Sequence, residues 1–140
     1  VMLNEEAIRI YNVSKDYINQ KTREIGREIA RRYKAYRGKY ELQSLKGKIV
    51  ILTDDGIATG FTTKAAIDYT KSQNPKKLIL AVPVAPSNLN NDIKKNVDEF
   101  ICLHSTSLFF SISQFYDNFP QLEDNDVRKY LKETNGKSKS

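Results

Sequence analysis

The chain has 140 residues, 39% hydrophobic and 29% charged, with a net charge of +6. That length fits one domain able to bury about 68% of its unfolded surface. No apolar run approaches the roughly 18 residues of a membrane span, VMLNEEAIRI lacks a signal-peptide layout, and one cysteine (Cys102) and one histidine (His104) build neither a disulfide framework nor a Cys/His metal cluster. An intracellular, cytoplasmic protein is therefore expected, with no membrane association.

The charge is unevenly placed. Residues 1–48 hold 12 Lys+Arg against 6 Asp+Glu, and the remainder holds 11 of each. A basic face of this kind suits nucleic acid, a phosphorylated metabolite or an acidic partner, or is simply a solvated helix surface.

In chain order, Asn4 is placed to cap a short helix over about 5–11, with Glu5 and Glu6 in its first turn. Ser14 can cap a longer one. Ile18, Thr22, Ile25, Ile29, Tyr33 and Tyr36 recur at spacings of three and four, with Lys and Arg on the other faces, which predicts one amphipathic helix to about Tyr36. Its tyrosines interleave with basic residues; packing is the plainer reading, and RNA the bolder one. Arg37-Gly38-Lys39 ends the helix, and a loop runs to Gly47. Ile49–Thr53 is a β-branched run that reads as a strand buried on both faces. Thr62–Ser72 reads as a helix, Leu78–Val84 as a second buried strand ending near Pro83, Ser87 to about Asn96 as a helix, Glu99–Leu103 as a third strand and Asp124–Glu133 as a last helix.

Strands alternating with helices imply right-handed crossovers and a parallel sheet. The expected fold is α/β, Rossmann-like, in a single domain: a basic helical segment over 1–47, an α/β core over 48–135 and a frayed tail over 136–140.

Chemistry concentrates in KIVILTDDGIATGFTT, residues 48–63. Ligands of parallel α/β sheets lie beyond the carboxyl ends of the strands, where Asp54 and Asp55 fall. Two adjacent carboxylates repel unless something pairs with them. Gly56 and Gly60 let backbone N–H groups converge on one anion, Thr59, Thr62 and Thr63 add hydroxyls, and the helix that follows offers its positive end. No Lys-Ser/Thr follows the second glycine, so this is not a Walker loop. A phosphate site beside two carboxylates describes a phosphorylated sugar, whose hydroxyls donate to the acids.

This stretch closely resembles the phosphoribosyl-pyrophosphate (PRPP) signature of type I phosphoribosyltransferases: an apolar strand, two acids, two variable residues, then small-Thr-Gly-x-Thr. The resemblance implies that Asp54 and Asp55 hold the ribose 2′- and 3′-hydroxyls. Ala58, Thr59, Gly60, Phe61 and Thr62 would wrap the 5′-phosphate. Where some members carry an aspartate proposed as a base, this chain has Ala58, so no catalytic residue is assigned. The wider chain is similar to a group of predicted phosphoribosyltransferases with no assigned substrate, through LNEEAIRIYNVSKDYI, YRGKYELQSLKGK, VPVAP and FFSISQFYDNFPQ.

The resemblance also implies PRPP and a nitrogenous base as substrates, Mg²⁺ carried by PRPP rather than held by the protein, and a homo-oligomer, commonly a dimer. Nothing before Lys48 reads as a buried strand followed by a pyrophosphate loop; Arg37-Gly38-Lys39 is the nearest candidate. The chain is accordingly expected to be an N-terminally shortened form, or one that has lost that site, which binds ribose 5-phosphate and transfers it weakly or not at all. The alternative is a non-catalytic nucleotide- or RNA-binding interaction module on the same fold.

LFFSISQFYDNFP, residues 108–120, is rich in aromatics. In the hypoxanthine-guanine branch of the family an aromatic stacks on the base, with an aspartate seven residues on. Phe110 and Asp117 have that spacing, although packing at the sheet edge is the plainer account. His104 is expected just past a strand end in a structural role, Cys102 as a core thiol, and Val84 and Ala85 beside a base pocket.

Overall fold

The β-branched run after Gly47 does form a strand, β1 (Ile49–Thr53), which pairs in parallel with β2 (Lys77–Pro86). Strand β2 in turn pairs in parallel with β3 (Glu99–Thr106), giving the order β1-β2-β3. The computed structural model describes residues 3–37, 43–89 and 91–137. Helices α1 (Glu5–Ile10) and α2 (Lys15–Arg37) precede the sheet, α3 (Phe61–Ser72) and α4 (Asn91–Lys95) make its crossovers, and α5 (Asp124–Lys137) follows it. The architecture is α/β, a parallel sheet with helices, as the alternating pattern implies.

Two compact units are present: residues 43–119, and residues 1–42 with 120–140. In the first, alternate strand residues face a core of Ile57, Ile67, Leu78, Leu80, Val82, Ala85, Leu89 and Ile93, with Val50, Leu52, Val97, Phe100 and Cys102 packed against it. Ile67 comes from α3 and Ile93 from α4, so each crossover buries an apolar residue in the same core. Each such side chain contributes roughly 1.5–3 kcal/mol when fully buried.

The expectation that β1 is buried on both faces is corrected. Ile49 and Ile51 are 61% and 63% exposed, and the strand alternates between exposed and half-buried residues. It pairs only with β2 among the described residues, and the core covers one of its faces. Central β2 has no exposed residue.

Pro83 does not end β2, which runs on to Pro86. The ladder pairs Val82 with Cys102 and Val84 with His104 around it, consistent with a residue that has no N–H to give. The helix expected from Ser87 is confined to Asn91–Lys95, because the Ser87 N–H donates to the Thr106 carbonyl at 2.8 Å and the Leu89 N–H closes a turn onto Pro86. The Ser87 amide continues the sheet instead of starting a helix. Strand β3 correspondingly extends to Thr106, so His104 lies within it rather than beyond it. Helix α5 reaches Lys137, into the stretch expected to be a tail.

In the helical unit, Asn4 caps α1 by accepting from the Ala7 N–H at 2.9 Å. Helices α2 and α5 meet through Asp124, which accepts from Tyr36 Oη at 2.6 Å and pairs with Arg31. Glu28 accepts from both Arg31 and Arg32. Part of the basic excess of α2 is thereby neutralised within the unit.

Candidate functional site

Strand β1 delivers Asp54 and Asp55 to the carboxyl end of the sheet, both exposed. The Asp55 N–H donates to Asp54 Oδ1 at 3.0 Å, which fixes the two acids side by side. Partial withdrawal from water, then the neighbouring Asp54 charge, push the Asp55 carboxyl above its ordinary value. Hydroxyl donors or a cation at this point relieve that repulsion.

The loop from Gly56 to Gly60 is held at both ends. A Cβ on Gly56 would lie 2.8 Å from Val84 Cγ1 and 3.1 Å from two carbons of Ile112, so only a glycine backbone passes there without displacing them. The next residue, Ile57, is 1% exposed and its N–H donates to the Val84 carbonyl at 3.0 Å. Gly60 has φ +80°, and a Cβ there would meet Ile93 Cδ1 at 2.5 Å. Between these anchors Ala58 and Thr59 are exposed.

Gly60 is also the N-cap of α3, with no side-chain cap. The first N–H groups of the helix therefore have no intrahelical partner, and the positive end of its dipole faces the loop. Phe61 and Thr62 open the helix on its exposed side, while Thr63 is buried. The structure thus brings Asp54, Asp55, Ala58, Thr59, Gly60, Phe61 and Thr62 together in one short stretch at the sheet's carboxyl end. Among the described residues no group of three or more His, Cys, Asp and Glu is placed to hold a metal ion.

The aromatic segment folds over this loop. A 3-10 turn (Ile112–Phe115) has a capping box between Ser111 and Gln114. Gln114 accepts from the Phe110 and Ser111 N–H groups and donates to the Leu108 carbonyl. The turn is joined to the site by Ile112 against Gly56 and by Tyr116 Oη, which donates to the Asp55 carbonyl at 2.6 Å.

A cavity of about 280 Å³ opens beside that contact, lined by Pro83, Val84, His104, Phe115 and Tyr116. The His104 and Phe115 rings lie 5.4 Å apart, and Phe109 and Phe115 5.3 Å. Phe110 is 87% exposed and Asp117 is exposed, and neither lines this cavity. Val84 lines it, whereas Ala85 belongs to the core. Phe115 and Tyr116 were not singled out by the sequence, in which only the density of aromatics marked the segment.

A second cavity, about 750 Å³, lies in the helical unit between α2 and α5, lined by Arg31, Arg32, Tyr36 and residues 121–124 and 127. Both of its arginines and Asp124 are paired: hydrogen bonds from Arg31 and Arg32 lower the neighbouring Glu28 carboxyl to about 2, and Arg31 and Tyr36 hold Asp124 well below the ordinary carboxylate range. The Gly38 and Lys39 of the pyrophosphate-loop candidate lie outside the described residues.

Residues 5–120 match the family model of the phosphoribosyl transferase domain. The chain is 33% identical over 130 residues to two Mycobacterium tuberculosis proteins, MT0597 of strain CDC 1551 / Oshkosh and Rv0571c of strain H37Rv, both named provisionally as phosphoribosyl transferases. Each match covers 93% of this chain and 29% of the relative, so the chain spans less than a third of those proteins. Among solved structures it is similar to TT1426 from Thermus thermophilus, with a TM-score of 0.68 and 30% identity over 94% of this chain and 62% of that one. No helix among the described residues is long and apolar enough to cross a membrane. With an acidic pair and a glycine-threonine loop at the end of β1 and a family match over most of its length, the chain belongs to the phosphoribosyl transferase domain family.

Proposed function

We propose that this chain binds PRPP or a nucleoside 5′-monophosphate at the end of β1, and that the protein transfers phosphoribose to a nitrogenous base in the cytoplasm. The observation that supports this most is the pinned loop: Gly56 wedged against Val84 and Ile112, Gly60 at φ +80°, and an uncapped α3 behind them. In this reading the N–H groups and hydroxyls of Ala58–Thr62 hold the 5′-phosphate, and Asp54 and Asp55 accept from the ribose hydroxyls. Magnesium enters as part of the substrate, bound to pyrophosphate.

In the transfer, a base nitrogen forms a bond to C1 as the C1–oxygen bond to pyrophosphate breaks, the electron pair leaves with pyrophosphate, and the proton lost by the base passes to pyrophosphate or water. Positive charge gathers on the sugar ring between these events, and two carboxylates at the diol are favourably placed to stabilise it. The loop contributes position, a large share of catalysis when reactants are held in line. Ala58 accepts no proton.

Calorimetric titration of PRPP with Mg²⁺ tests the reading. Binding by the parent chain, weakened at least tenfold by Asp54→Asn/Asp55→Asn in a folded protein, is expected. Equal affinity in the double variant would contradict it.

A further inference from the structure

The cavity lined by Pro83, Val84, His104, Phe115 and Tyr116 has a chemical character of its own. Among the described residues, no lysine, arginine, aspartate or glutamate lines it. Three of its walls are apolar or aromatic, and the Tyr116 hydroxyl is already engaged with the Asp55 carbonyl. The polar edge that remains is the imidazole of His104, which has both a nitrogen donor and a nitrogen acceptor when neutral. The ring is steadied against Phe115, at 5.4 Å between centroids. At about 280 Å³ the space is near the lower end of ligand pockets, enough for one small ring system.

We infer that this cavity binds the acceptor as an uncharged planar nitrogen heterocycle, with His104 reading its edge, and that it discriminates against acceptors bearing a carboxylate. The substrate class rests on the nucleotide reading above, but the cavity's chemistry does not. An anionic ring entering here loses water without meeting a cation. It also approaches the Asp54–Asp55 pair, whose backbone is tied to the cavity wall through Tyr116, so like charge opposes it. A flat neutral ring meets aromatic faces and one group that can donate or accept.

The probes are adenine, orotate and ribose 5-phosphate, titrated separately into the parent chain and followed by NMR. Adenine is expected to shift the His104 ring protons and the amides of residues 104, 115 and 116, while orotate at the same concentration leaves them unmoved. His104→Ala, a change at an exposed side chain, should weaken adenine at least tenfold and leave ribose 5-phosphate unchanged. Phe115→Leu should weaken adenine while keeping the fold. His104→Arg should reverse the preference and admit orotate. Adenine that leaves these resonances still, or orotate that moves them equally, overturns the inference. Ribose 5-phosphate reports on the loop at 54–62 alone. Its failure beside intact adenine binding would count against the nucleotide reading and leave the cavity assignment standing.

Discussion

Asp55 carries a cost in the unliganded protein. Its raised carboxyl pKa means that the ionised form is disfavoured in the fold, first by withdrawal from water and then by Asp54. Any stability it gives by being protonated is present below its unfolded value and lost as pH rises through the raised one. At neutral pH the pair is held at the expense of stability, a common trade at functional sites. Asp55→Asn should therefore raise the melting temperature while weakening PRPP binding. A variant that melts lower than the parent would show that the acid is structural. Gly60 makes the opposite case. With φ +80° and Ile93 Cδ1 only 2.5 Å from where a Cβ would sit, Gly60→Ala forces a side chain into the left-handed region. That costs about 1–2 kcal/mol, so the variant should melt several degrees lower and bind ribose 5-phosphate more weakly; calorimetry and a thermal scan measure both.

At the scale of elements, the physical signals that are local in sequence were the legible ones. The three-and-four spacing from Ile18 to Tyr36 marks α2, and the β-branched run after Gly47 marks β1. The signals that failed depend on partners far along the chain. Ser87 looks like a helix cap until Thr106 takes its N–H, and Ile49 and Ile51 look buried until the sheet proves covered by its core on one face. The site divides the same way: the acids and loop are contiguous and readable, whereas Tyr116 reaches Asp55 across 61 positions. The helix pair of the other unit has a pH signature. Glu28 titrates at about 2 rather than 4.5, so its contribution is present above about pH 4.5 and lost as pH falls toward 2. Asp124, also lowered, adds in the same direction. Because these groups are only half-buried, the effect is modest and screened by salt. Helicity followed by circular dichroism should be flat from neutral pH to about 4.5 and fall below it. Asp124→Asn should reduce the acid-induced change. An identical acid transition in that variant would show that Asp124 plays no part in it.

For the whole molecule, chemistry and charge lie in different units. The acidic pair, the loop and the aromatic cavity all belong to residues 43–119, and the helices that carry most of the basic excess belong to 1–42 and 120–140. In the proposed reading, small-molecule chemistry gathers at the sheet's carboxyl end, as is general for parallel α/β folds. Amide NMR of the chain on addition of ribose 5-phosphate is the sharpest test of this assignment. Saturable shifts concentrated at residues 54–63, absent in Asp54→Asn/Asp55→Asn, are expected. Shifts centred on α2 and α5, or none in the folded parent, would contradict a ribose-phosphate site at the end of β1.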